Sequence, residues 1–62
     1  MSNLDALNEA AGTHFTSYSI FAHVLNTTVE DCMCAINDWR DVLIARARSD
    51  AWLLQKYDRG EY

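Results

Sequence analysis

The sequence predicts an all-α fold, a small bundle of three or four helices in all, with a helix-turn-helix corner and a long C-terminal helix. Three observations predict it. Residues 28–57 hold neither Gly nor Pro, and their apolar residues recur at spacings of three and four, the period of one helix face. Gly12 and Asn26, residue types that accept the left-handed conformation beyond a helix end, divide the preceding chain into two short pieces. Thr27-x-x-Glu30 has the spacing of a capping box, in which each side chain answers the other's free backbone N–H.

A first helix is expected over residues 3–11. Ser2 or Asn3 serves as its cap, and Asp5 falls in the first turn, where a negative charge is favoured. Leu4, Leu7, Ala10 and Ala11 form its apolar side, and Gly12 stops it. Thr13 to Phe15 make a short link, with Phe15 turned inward as a staple. A second helix follows over residues 17–25, opened by Thr16 or Ser17. Tyr18, Phe21, Ala22 and Leu25 lie on its apolar face, with Ile20 and Val24 beside them. Asn26 ends it and Thr27 opens the next, so a tight helix-turn-helix corner is expected at Leu25 to Thr28.

At 100° per residue the long stretch gathers Val29, Cys32, Met33, Ile36, Trp39, Leu43, Ala47, Ala51, Leu54 and Tyr57 on one stripe. Arg40 and Asp50 intrude. Arg40 can bury its stem and lift its head to water, whereas Asp50 follows Ser49 in a pair that suits a helix start. The expectation is a helix over 28–48 and another over 50–57, or one continuous helix; an earlier break, at Asp38, has weaker support. An unbroken helix would be roughly 45 Å long, against about 27 Å for a compact domain of this size. Either the helix breaks or a second copy covers the overhang. Residues 57–62, YDRGEY, read as a frayed charged tail.

With 62 residues the chain is one domain, and a domain of this size buries only about 60% of its unfolded surface. Cys32 and Cys34 point about 200° apart on a helix and cannot bridge. Oligomerisation is therefore the expected source of added stability. The partner expected is a second copy in a homodimer, through the stripe residues Ile36, Trp39, Leu43, Ala47 and Leu54.

The formal net charge is −4, and it is unevenly placed. Residues 1–31 carry Asp5, Glu9, Glu30 and Asp31 and no Lys or Arg; all the cations lie in residues 32–62, where they balance the carboxylates. Such a field favours basic protein partners over nucleic acid or an anionic membrane. The N-terminus has no positive region followed by an apolar run, and no run approaches the roughly 20 apolar residues of a membrane span. Unpaired thiols and the lack of such signals make the cytoplasm the expected location.

Little in the sequence suggests catalysis. Cys32-x-Cys34 lacks the zinc-site spacing, and a helix turns the two thiols apart, so neither a metal nor another cofactor is expected. No Ser, His and acid arrangement and no glycine-rich phosphate loop is present, and no catalytic residue is assigned. Glu30, Asp31, Asp38 and Asp41 read as a solvated acidic face. Trp52 points nearly opposite the stripe on a continuous helix, with Arg48 and Lys56 one turn to either side. Trp52 is a core residue if the helix breaks and an exposed aromatic anchor if it does not. On the second reading Trp52, Arg48, Lys56 and Tyr57 form a protein-binding site, because Trp and Arg dominate binding hot spots. The expected function is then a non-enzymatic adaptor, regulator or inhibitor of a larger protein partner. A chain of this size and charge suits a phage or bacterial accessory protein.

Residues 22–36, AHVLNTTVEDCMCAI, resemble the DNA-binding helix-turn-helix pattern. Ala22, Leu25, Asn26, Thr28 and Ile36 stand in its places; Asn26 replaces the usual Gly, and Cys32 stands where an aliphatic residue is common. The resemblance implies a nucleic-acid-binding regulator as the alternative function, with Asn37, Arg40, Arg46 and Arg48 as the contacts. Against it, residues 28–39 hold three carboxylates and no Lys or Arg, where phosphate contact needs cations. A third reading is a structural subunit that assembles through the stripe.

Overall fold

The computed structural model describes residues 2–61. All regular structure among them is helical: α1 (Asn3–Ala11), α2 (Ser19–Val24), α3 (Val29–Met33), α4 (Asn37–Ser49) and α5 (Ala51–Asp58). The all-α bundle expected from the sequence is therefore present. No helix of the described residues is long and apolar enough to cross a membrane.

Local chemistry sets most of the helix ends. Ser2 caps α1, its hydroxyl accepting from Asp5 N–H at 3.1 Å. Three left-handed residues, Gly12 (φ 70°), Asn26 (φ 55°) and Gly60 (φ 72°), close α1, α2 and α5. At each, the next N–H reaches back to a carbonyl of the last turn: Thr13 to Asn8, Thr27 to Ala22 and Glu61 to Lys56, at 3.0, 2.9 and 3.0 Å. This is the bonding of the Schellman motif. The expected frayed tail is corrected by it: α5 runs through Asp58, and Arg59 pairs with Glu61 at 3.0 Å. Tyr62, the end of that expected tail, lies outside the described residues.

Gly12 is fixed twice over. Its φ is one that L-residues adopt only under strain, and a Cβ there would lie 3.2 Å from Gln55 Nε2, which donates to Ala11 O at 2.9 Å. Gly12→Ala is expected to lower stability by about 1–2 kcal/mol, read by urea titration of the helical circular dichroism.

Three boundaries differ from expectation. Helix α2 starts at Ser19 rather than residue 17, because Tyr18 turns its hydroxyl to α1, where it accepts from Leu4 N–H at 3.1 Å. The cap of α3 is Thr28, not Thr27: Thr28 Oγ1 accepts from Asp31 N–H at 3.0 Å, while Thr27 Oγ1 donates to Asp31 Oδ2 at 3.1 Å. The largest difference is the long helix. It breaks at Asp50, as expected, and also at residues 34–36, where Ile36 is extended (φ −129°, ψ 152°) and Asn37 takes φ 42°.

The second break rotates α3 out of phase with α4, and the ten-residue stripe splits. Cys32, Leu43, Ala47 and Leu54 are buried in the core with Leu7, Phe21 and Leu25. Met33 and Ile36, from the same stripe, stand 55% and 72% exposed. Trp39 packs at the core's edge. Small residues (Ala11, Ala22, Ala35 and Ala47) sit between the large ones in this core, so the helix backbones approach closely. Phe15 packs edge-on against Phe21, with ring centroids 5.3 Å apart.

Cys32 is buried and Cys34 exposed. Burial, with a smaller contribution from Asp31, raises the Cys32 thiol above its ordinary 9.0. The stability tied to its protonated form is whole below pH 9.0 and is lost as pH rises through the raised folded value. Iodoacetamide at pH 8 is expected to label Cys34 quickly and Cys32 only after denaturation, as mass spectrometry of timed aliquots would show.

Candidate functional site

Helices α4 and α5 carry the candidate site. Their joint is one residue, Asp50, which closes one helix and opens the other: its N–H donates to Arg46 O at 2.8 Å and its carbonyl accepts from Leu54 N–H at 3.0 Å. Leu43, Ala47 and Leu54 are buried on one side while Arg48 and Trp52 are exposed on the other, so the two helices keep nearly the phase of one helix across Asp50. Trp52 remains exposed although the helix is interrupted; interruption and exposure do not exclude each other.

Trp52 is 67% exposed, and Lys56 Nζ lies 4.1 Å from its ring centroid. Arg48, exposed, stands one turn before it. Two more turns back along the same four-residue spacing are Ile44 and Arg40. Residues 40, 44, 48, 52 and 56 therefore form one inclined row of cations and apolar groups. The first three also line a groove of about 360 Å³ between α4 and α1, with Ala6, Glu9 and Ala10 on its other wall.

The expected protein-binding set is thus partly brought together. Trp52, Arg48 and Lys56 share the row. Tyr57 is half-buried on another side of α5, its ring edge-on to His23 on α2 at 6.1 Å. The residues that sequence reasoning missed are Arg40 and Ile44 as parts of this row, and Ala6, Glu9 and Ala10 across the groove. The four-residue spacing from Arg40 to Lys56 was the signal for the first two; no local pattern marks the α1 wall.

The nucleic-acid set divides. Arg40 and Arg48 face the groove, whereas Arg46 Nη1 donates to Leu25 O at 3.3 Å and its guanidinium lies 5.3 Å over the Trp39 ring. Asn37 is exposed at the start of α4. Helix α3, in the reading position of the helix-turn-helix resemblance, has five residues, among them Glu30 and Asp31. In the oligomer stripe, Leu43, Ala47 and Leu54 lie in the core of the single chain, so this burial is already complete without a second copy. Among the described residues, Val29, Met33, Ile36, Val42 and Trp52 are the exposed large apolar residues.

Among the described residues, an ion pair joins Arg59 to Glu61, and the His14 ring Nδ1 lies 3.6 Å from Asp58 Oδ2. No group of three His, Cys, Asp or Glu residues there is arranged to hold a metal ion. Comparison with protein-family models, curated proteins and solved structures returns no match for this chain.

Proposed function

We propose that this chain is a small non-enzymatic protein-interaction module, an adaptor, regulator or inhibitor that covers or bridges a larger partner through the Trp52 face of α4 and α5. The observation that carries this reading is Trp52 itself, 67% exposed and held under the Lys56 ammonium. A large aromatic side chain left in water is a standing source of binding free energy. The cation above it restricts the ring before any partner arrives, which lowers the entropy lost on association. Arg48 beside it supplies directional donors for a carboxylate or carbonyl.

The test is capture of a partner from lysate of the source cells by the wild-type chain and by Trp52→Ala in parallel, with nuclease in one arm and raised salt in another. The expected result is a single protein held by the wild type through both treatments and lost from the variant. Binding that disappears with nuclease or modest salt would instead support the nucleic-acid regulator, since phosphate contacts weaken steeply as salt rises.

A further inference from the structure

We propose that the groove between α1 and α4 is the seat of an acidic segment of the protein partner, a segment whose carboxylates meet Arg40 and Arg48 and whose apolar side chains lie over Ala6, Ala10 and Ile44. The inference rests on the protein-binding reading above and adds the chemistry of what is bound.

The charges define the ligand. Of the five Lys and Arg residues, Arg59 is paired with Glu61, and Arg46 is taken up by Leu25 O and the Trp39 ring. The remaining three, Arg40, Arg48 and Lys56, have no carboxylate partner among the described residues, and all three stand on the one row. In a chain of net charge −4 this leaves one cationic strip on an acidic molecule. Arg40 is half-buried, and its Nε–H has no acceptor. A guanidinium is the cation best matched to a carboxylate, which it can grip with two parallel N–H bonds.

The shape points to a protein segment rather than to another polyanion. Arg40 and Arg48 are eight residues apart, about 12 Å along α4, with Ile44 midway and the two alanines opposite. An amphipathic segment with carboxylates at matching intervals and apolar groups between them answers both features. A nucleic-acid backbone presents its phosphates without that apolar interval, so it leaves Ile44 and the two alanines uncovered. Glu9, on the α1 wall, sets a further limit, for it repels a carboxylate placed beside it. The acidic groups of the partner therefore seat toward α4. The row then delivers the segment to Trp52 and Lys56.

The probe is a fluorescein-labelled amphipathic peptide of about 16 residues, about 24 Å as a helix, with Leu on one face and flanking Glu, beside a counterpart with every Glu replaced by Gln. Anisotropy is measured with the full chain at low salt. The Glu peptide is expected to bind at least about tenfold more tightly than the Gln peptide, and Arg48→Gln to weaken it about fivefold. Glu9→Gln is expected to tighten it by a few-fold. Both altered residues are exposed, so these variants carry the test even if Arg40→Gln disturbs the fold. Equal binding of the two peptides, or a Glu9→Gln change that weakens binding, overturns the proposal. A duplex oligonucleotide that binds more tightly than the Glu peptide and responds to Arg48→Gln also overturns it, by assigning the groove to phosphates. Should the captured partner be lost from Trp52→Ala but held unchanged by Arg48→Gln and Glu9→Gln, the groove proposal falls while the protein-binding reading stands.

Discussion

Replacing Asn3 by Ala is expected to destabilise the fold by about 2 kcal/mol, an effect much larger than its place in the first turn of α1 would suggest. The Asn3 amide donates to Cys32 O at 3.2 Å, Met33 O at 3.1 Å and Ala35 O at 3.0 Å. Its two hydrogens are shared over three carbonyls. Those carbonyls belong to the end of α3 and to the break that follows, where a helix of five residues has almost no bonding of its own. Without the amide, the carbonyls near the core lose their donors, and the turn that aims α4 back across α1 loses its anchor. For a domain of this size a loss of about 2 kcal/mol lowers the melting temperature by roughly 15 °C.

Asn3→Asp gives the sharper result. As the first residue of α1, an Asp would be favoured by the helix dipole, and on that ground alone it would stabilise the helix. Facing three carbonyl oxygens, it would remove both donors and add repulsion. The expected result is an Asp variant less stable than the Ala variant, measured by thermal melts at pH 7. An Asp variant as stable as the wild type would mean that the bonds to α3 contribute nothing.

The second large effect is on binding. Trp52→Ala is expected to weaken partner binding by at least about 2 kcal/mol, roughly thirtyfold, the scale of an aromatic anchor. Its stability should change by no more than about 0.5 kcal/mol. The side chain is mostly in water, and its Lys56 contact is of a kind that adds little at an exposed site. The two readouts separate the roles. Lost binding with an unchanged melt marks an anchor. A cooperative loss of the fold would mark Trp52 as structural and remove the proposed face.

Polar side chains that reach across the molecule are the common thread of this fold. Tyr18 accepts from the free N–H of Leu4, Arg46 donates to Leu25 O beyond α2, and Gln55 donates to Ala11 O at the end of α1. Asn8 holds the link after α1 from both sides: its Oδ1 accepts from Thr13 Oγ1 and Phe15 N–H, and its Nδ2 donates to Phe15 O. Short helices have a high share of unsatisfied backbone groups, so a bundle of five leaves many to be answered from elsewhere.

The sequence by itself determined what acts over a few residues. Ser2, Gly12 and Asn26 mark real helix ends because a cap or a left-handed residue satisfies groups within the same turn. Asp50 marks a real joint, and the four-residue spacing of Arg48, Trp52 and Lys56 already places these three on one side of α4 and α5. The tertiary structure decided the break at residues 34–36, of which Asn37, left-handed at φ 42°, is the local mark. No Gly or Pro announces it; the donor that answers its carbonyls sits about thirty residues away, on Asn3. That break in turn settled which part of the stripe became core and which stayed in water, and it set α4 against α1 with the groove between them. Periodicity reports the face a helix offers, but where the chain turns depends on which distant group can satisfy the backbone it leaves open.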